Sequence, residues 1–256
     1  MDLAIQTSSL SRSFGSFRAV NNVDLRVERG SFYGFLGPNG AGKSTTIKML
    51  TGLLAPSAGR ISVLGQNPLD HKQALKMKSQ IGVVPEDLAL FDNLTGREYL
   101  TFVGRMHLME ANTLRKRIDE LLPLLSLEND ETKLTIEYSH GMKKKLALAS
   151  ALLPDPDLLF LDEPFEGVDA MASRTIRKIL TAFMKRGSTV FLTSHVLEIV
   201  ERVCDHVGII VAGELVEQTS LADLGSGGTL EERFLEVAGG DHMEEAQLSW
   251  LEEGEV

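Results

Sequence analysis

The sequence predicts an α/β protein: a sheet with covering helices, interrupted by a helical insert. Three observations predict it. Short apolar runs, most of them bounded by Gly or Pro, stand at 32–36, 61–64, 81–84, 158–161 and 189–193, the length and composition of strands. A glycine-rich loop joins the first of these runs to a helical pattern. Between 86 and 156 helical spacing takes over and the strand pattern stops.

The elements follow in order. Val23, Leu25 and Val27 alternate with Asp24 and Arg26, which reads as one half-buried strand broken by Gly30. Residues 32–36 form a mostly apolar strand that runs into the glycine-rich loop, and 45–54 read as the helix behind it. Strands at 61–64 and 81–84 complete the first part. Thr95 followed by Glu98 forms a capping box for one helix. Leu114, Ile118, Leu121, Leu122 and Leu125 have the spacing of a second, and 142–152 give a third. Residues 158–161 are a buried strand. Asp169 caps a helix with Ile176, Ile179, Leu180 and Phe183 on one face, ended by Gly187. Residues 189–193 are a strand, and 207–211 with 215–218 make a hairpin around Gly213. Residues 1–85 and 157–220 thus read as the α/β core, 86–156 as the helical insert, and 221–256 as a C-terminal region.

That last region holds a glycine-rich joint at 225–228, a short helix at 230–237 and an acidic tail. From Phe234 to Val256 there are seven acidic residues and no Lys or Arg. Leu248, Trp250 and Leu251 could anchor this tail, but a solvated end fits its composition better. The chain of 256 residues has 36 acidic and 26 basic residues and a net charge of −10, which argues against a nucleic-acid partner. One cysteine, Cys204, excludes an intrachain disulfide and reads as a small buried residue. No apolar run is long enough to cross a bilayer, and no basic-then-apolar start suggests a signal peptide. The expectation is a cytoplasmic chain that needs a partner to span any membrane it serves.

The chemistry gathers at strand ends. Gly37-Pro38-Asn39-Gly40-Ala41-Gly42-Lys43-Ser44 follows a strand and opens a helix, the P-loop pattern. Its backbone N–H groups and the helix's positive end suit phosphate oxygens. Lys43 then reaches the β- and γ-phosphates, and Ser44 ligates Mg²⁺. Asp162-Glu163 closes an apolar strand. Two such acids are an ordinary capping pair or, beside a P-loop, a metal and base pair: Asp162 holds Mg²⁺ through water and Glu163 faces the attacking water. His195 ends another strand and reads as a γ-phosphate contact, although a lone histidine is more often structural.

With these motifs in this order, residues 3–220 resemble the nucleotide-binding subunit of ABC transporters. The resemblance implies a P-loop NTPase core, a RecA-like sheet with an antiparallel β subdomain, and an inserted α-helical subdomain. The family's LSGGQ signature falls on Tyr138-Ser139-His140-Gly141-Met142, with three of five letters changed. Ser139 and Gly141 would touch the ATP of an opposing subunit. Lys143-Lys144-Lys145 behind it looks like the family's basic helix start, and reads equally well as a solvated face. The Walker B acids fall on Asp162 and Glu163, the D-loop Asp on Asp169 and the switch histidine on His195. Phe14 takes the place of the aromatic that stacks on adenine; taken alone, it could be a core or loop aromatic. Thr45 completes the P-loop contacts. Glu86 stands where Gln is usual and adds a negative charge near the metal.

Most similar are the stand-alone ATPases of bacterial ABC-2-type exporters. That implies ATP and Mg²⁺ as cofactors, with a membrane-spanning permease and a second ATP-binding subunit as partners. It places the chain peripherally on the cytoplasmic face of the membrane. Two rivals are a soluble non-transport ABC ATPase and a regulatory nucleotide-binding module. A single motif set without heptads speaks against the first, and intact Glu163 and His195 against the second.

Overall fold

The computed structural model describes residues 2–224 and 229–238. The glycine-rich joint at 225–228 and the acidic tail with Leu248, Trp250 and Leu251 lie outside the described residues. Two sheets dominate. In the first, β1 (Leu3–Phe14) pairs antiparallel with β2 (Phe17–Val23), β3 (Arg26–Glu28) and β5 (Ala58–Val63).

The single strand expected over 23–27 is in fact the end of β2 and the start of β3. Val23 pairs with Leu10 and Val27 with Ile5, so the chain steps along β1 between them. One buried side chain spans the step: Thr7 Oγ1 donates to the Val23 carbonyl at 2.7 Å and accepts from the Leu25 N–H at 2.8 Å. Val23, Leu25 and Val27 are all fully buried. The alternation therefore reported burial correctly and pairing wrongly.

The second sheet has the order β10-β9-β4-β8-β7-β6. Its strands are β4 (Phe32–Leu36), β6 (Ile81–Val84), β7 (Leu158–Asp162), β8 (Thr189–Ser194), β9 (His206–Val211) and β10 (Glu214–Ser220). All pairs are parallel except β9 with β10. Every residue of β4, β7 and β8 is buried, as befits strands covered on both faces. One face packs Tyr33, Phe35, Phe160 and Phe191 against Ile5, Leu10 and Val27 of the first sheet. The Tyr33 and Phe191 rings stack at 5.6 Å.

The other face carries helices. The insert supplies α3 (Gly96–Met106), α4 (Ala111–Leu124) and α5 (His140–Leu152). Leu100, Leu114, Ile118, Leu122 and Leu146 of these helices share one cluster with Leu159, Leu161, Val190 and Leu192 of the sheet. The pattern break at 86–156 is thus a change of secondary structure over a continuous core. The helix after the glycine-rich loop, α1 (Lys43–Leu50), starts two residues earlier than expected and stops before Gly52, whose φ is +73°. α6 (Ala170–Met184) is capped by Asp169 as expected.

Two helices had no clear sequence signal. α2 (His71–Lys78) buries only Met77, and α7 (Leu197–Val203) only Val200, too little apolar periodicity to read. α8 (Leu221–Leu224) and α9 (Leu230–Ala238) follow β10. Leu230 anchors α9 beside Val200, Val207 and Ile209. Cys204 is half-buried, and burial of its thiol pushes the pKa well up. Among the described residues no helix is long and apolar enough to cross a membrane.

The capping box on α3 is complete. Glu98 N–H donates to Thr95 Oγ1 at 3.2 Å, and Thr95 N–H donates to Glu98 Oε2 at 2.9 Å. The Thr95 N–H holds the Glu98 carboxyl below its ordinary 4.5. A lowered folded value means the contribution is full above the unfolded pKa and is lost as pH falls through the folded one. Loss of the cap side chain in Thr95→Ala should cost about 1 kcal/mol in urea unfolding at neutral pH. Glu98→Gln should flatten that acid limb of the stability curve.

Candidate functional site

The site is built at the C-terminal ends of three adjacent strands, β4, β8 and β7. Residues 37–42 leave β4 and turn into α1. At Gly37 and Gly42 the loop is folded against backbone that leaves no room for a side chain. A Cβ on Gly37 would lie 2.3 Å from the Ile210 carbonyl oxygen. One on Gly42, at φ +106°, would lie 2.5 Å from that of Ala19. Ala41 N–H donates to the Pro38 carbonyl at 3.1 Å, and Gly213 N–H, from the β9–β10 turn, donates to Ala41 O at 3.0 Å. Pro38, Asn39 and Gly40 stay exposed at the tip. The buried Lys43 ammonium donates to the Gly37 carbonyl at 2.8 Å and to that of Pro38 at 3.4 Å.

Across the mouth stands the end of β7. Asp162 is buried and pairs in register with Thr193 of β8, whose hydroxyl donates to Asp162 Oδ1 at 2.5 Å. The same hydroxyl accepts from the Glu163 N–H at 3.1 Å. Glu163 has φ +47°, a left-handed conformation that costs a non-glycine residue about 1–3 kcal/mol. Its carboxylate is only 7% exposed and lies between two basic groups. Oε2 is 3.1 Å from His195 Nδ1, and Oε1 is 3.4 Å from Lys43 Nζ. Among the described residues Oε1, paired with the Lys43 charge, is buried with no hydrogen-bond partner, so this atom can still accept a proton.

Ser44 Oγ donates to Glu86 Oε2 at 3.3 Å. A pocket of about 340 Å³ joins Lys43, Ser44, Thr45, Glu86 and Glu163 to Phe14 at its outer rim. Phe14 is 48% exposed, which rules out a core role. The Arg12 guanidinium covers one face of its ring at 4.6 Å. Phe17 also lines the pocket and is paired with Phe14 across the β1–β2 turn. Sequence reasoning missed Phe17; the signal was two aromatics flanking Gly15-Ser16, a spacing that makes them cross-strand neighbours.

Ser139, Gly141 and Asp169 are not among the lining residues. Ser139 is the exposed cap of α5, accepting from the Met142 N–H at 3.3 Å. A Cβ on Gly141 would meet nothing within 4 Å, so its backbone faces open space. Asp169 accepts from Met171 and Ala172 N–H, each at 2.9 Å. These bonds, Ala172's first, hold its carboxyl below the ordinary value. The His140 ring packs against Gly167, reaching within 3.0 Å of where a Cβ there would lie. The basic run after the signature is not one solvated face, because Lys144 is buried.

The family model of the ABC transporter matches residues 20–166, which include the loop, Glu86, Ser139, Gly141, Asp162 and Glu163. The chain belongs to the ABC transporter family. It is 38% identical over 219 residues to the bacitracin transport ATP-binding protein BcrA of Bacillus licheniformis, covering 85% of this chain and 70% of that protein. It is 36% identical over 223 residues to the daunorubicin resistance ATP-binding protein DrrA3 of Streptomyces coeruleorubidus, covering 87% and 70%. A solved structure of the ATP binding subunit of an ABC transporter superposes with a TM-score of 0.85 at 29% identity, covering 91% of this chain and 99% of that one.

Proposed function

We propose that this chain hydrolyses ATP to drive a separate membrane-spanning permease, in the direction of export. The observation that carries the reading is the buried Glu163 carboxylate, held between Lys43 and His195, with Oε1 ion-paired to Lys43 but without a hydrogen bond among the described residues. The resistance and antibiotic-transport relatives support the export direction. The chain then sits on the cytoplasmic face of the membrane, with 1–85 and 157–220 as its ATP-binding core and 86–156 as a subdomain carrying the signature.

In this reading the nucleotide base stacks on Phe14 beside Phe17. Stacking on a ring already polarised by Arg12 needs no hydroxyl. The phosphates lie on the backbone N–H groups of 37–45 at the positive end of α1. Lys43 turns from the loop carbonyls to the β- and γ-phosphates. Water attacks the γ-phosphorus and gives its proton to Glu163 Oε1, while the bond to the β-phosphate oxygen breaks and ADP leaves. His195 fixes the other carboxylate oxygen and so the direction in which Oε1 points.

The donors Ser44, Glu86 and Asp162 are all oxygen, which fits a hard cation. Ser44, Glu86 and Asp162 are the residues that would hold such a cation, together with water and the nucleotide's phosphate oxygens. Magnesium bound there would neutralise charge on the phosphates. Ser139, exposed, and Gly141, half-buried, at the start of α5 await the ATP of a second subunit, with Asp169 near the same junction. Neither half-site is then complete alone, and hydrolysis is tied to closure.

Three outcomes test this. Glu163→Gln should bind ATP, dimerise tightly and turn over about 10²- to 10⁴-fold more slowly; normal turnover removes Glu163 from the base role. Glu86→Gln should bind ATP nearly unchanged but shift the Mg²⁺ dependence of hydrolysis; identical titrations would place Glu86 away from the metal. Tagged chain drawn from detergent-solubilised membranes of its host should carry a multi-span protein in near-equal amount. Recovery from the soluble fraction alone would put a non-transport ATPase in its place.

A further inference from the structure

Three lysines open α5, and two of them face solvent at least partly. Lys144 does not: it is 4% exposed. Its ammonium donates to the carbonyl oxygen of Glu163 at 2.8 Å and to that of Glu166. Among the described residues no carboxylate is paired with it. Burial pulls its pKa below 10.5, while the more distant carboxylates of Glu166, Glu163, Glu86 and Asp162 push the other way. An apolar side chain at this depth would carry no such desolvation cost. What the ammonium supplies is geometry.

Glu163 sits at φ +47°, and such a conformation persists only where the surroundings over-determine it. The surroundings do so from both ends of the residue. Thr193 of β8 holds its N–H, and Lys144 of α5 holds its carbonyl. The turn that follows is closed by the Glu166 N–H donating to the Glu163 carbonyl at 3.3 Å, and the second bond from Lys144, to the Glu166 carbonyl, ties its far end to α5. Thr193 belongs to the sheet and moves with it. Lys144 belongs to the helix that begins at Ser139 and Gly141.

We propose that Lys144 is a positioning residue: it clamps the 163–166 turn so that the Glu163 carboxylate points to Lys43 and His195. This rests on the reading of Glu163 as the base. It also gives the exposed start of α5 a route to the chemistry. A displacement of Ser139 and Gly141 by the nucleotide of a second subunit reaches the Glu163 backbone through one side chain of the same helix.

The test compares full-length Lys144→Met, Lys144→Arg and wild type in ATP hydrolysis and in binding of a fluorescent ATP analogue with Mg²⁺. Lys144→Met should lower kcat by about 10- to 100-fold, the scale of a misplaced catalytic group. Its nucleotide Kd should move by less than about threefold, since no ground-state contact is lost. Lys144→Arg should recover most of the rate. In a Glu163→Gln background the Met substitution should cost nothing further, because both changes act through one carboxylate. An unchanged kcat, equal losses in rate and binding, or a full further loss in the Glu163→Gln background would overturn the proposal. Should Lys144→Met not fold, Lys144→Gln, which is uncharged and shorter, takes the same test with the same outcomes. Normal turnover by Glu163→Gln alone would remove the base reading and this inference with it. A slow Glu163→Gln beside a normal Lys144→Met would remove only this inference.

Discussion

A carboxylate buried at a strand end has to be matched by charge or hydrogen bonds, and Glu163 organises the molecule around that need. The carboxylate is met by Lys43 behind β4 and His195 at the end of β8, while Thr193 of β8 and Lys144 of α5 hold the backbone N–H and carbonyl of the same residue. The strand order β4-β8-β7 brings Lys43, Thr193 and His195 to Glu163, and the packing of α5 adds Lys144. The parallel sheet sends the ends of these three strands to the same edge, where ligands gather in folds of this kind. The antiparallel sheet serves the same end by buttressing the loop at Gly42 through the Ala19 carbonyl. Swapping any of these strands would leave the Glu163 charge buried and unpaired, a large cost in a dry interior.

What could be read from the sequence was local. The P-loop is legible because its chemistry needs Gly37, Gly42, Lys43 and Ser44 at fixed spacing within one turn. Asp162-Glu163 is legible because acids at the end of an apolar run are conspicuous, and Thr95 with Glu98 because a cap is a four-residue device. Long-range pairing left no such mark. Nothing in 23–27 tells that Val23 and Val27 pair at different points of β1, since both pairings bury the same side chains. Thr193 looked like a strand residue, and its grip on both Asp162 and Glu163 exists only after β7 and β8 align. Lys144 looked like one of three interchangeable surface cations. Its burial follows from the packing of α5 against the sheet, and charge patterning cannot foretell that.

The arrangement also separates what is finished from what is not. The phosphate loop, Asp162 and the Glu163 backbone are tightly tied. Among the described residues Glu163 Oε1 has no hydrogen bond and Gly141 meets open space, and Ser139 and Asp169 sit at exposed helix starts. The unfinished groups are those that the proposed function assigns to nucleotide, water and a second subunit. A family that converts ATP binding into movement needs such a site, because contacts that differ between two states are what shift one to the other.

The most direct test of this account is a structure of the chain with Mg²⁺ and a non-hydrolysable ATP analogue. The account predicts the γ-phosphate within hydrogen-bond reach of Lys43 Nζ, and a water on Glu163 Oε1 in line with the bond to be broken. A nucleotide seated away from residues 37–45, or a Glu163 carboxylate turned from the phosphates, would contradict it.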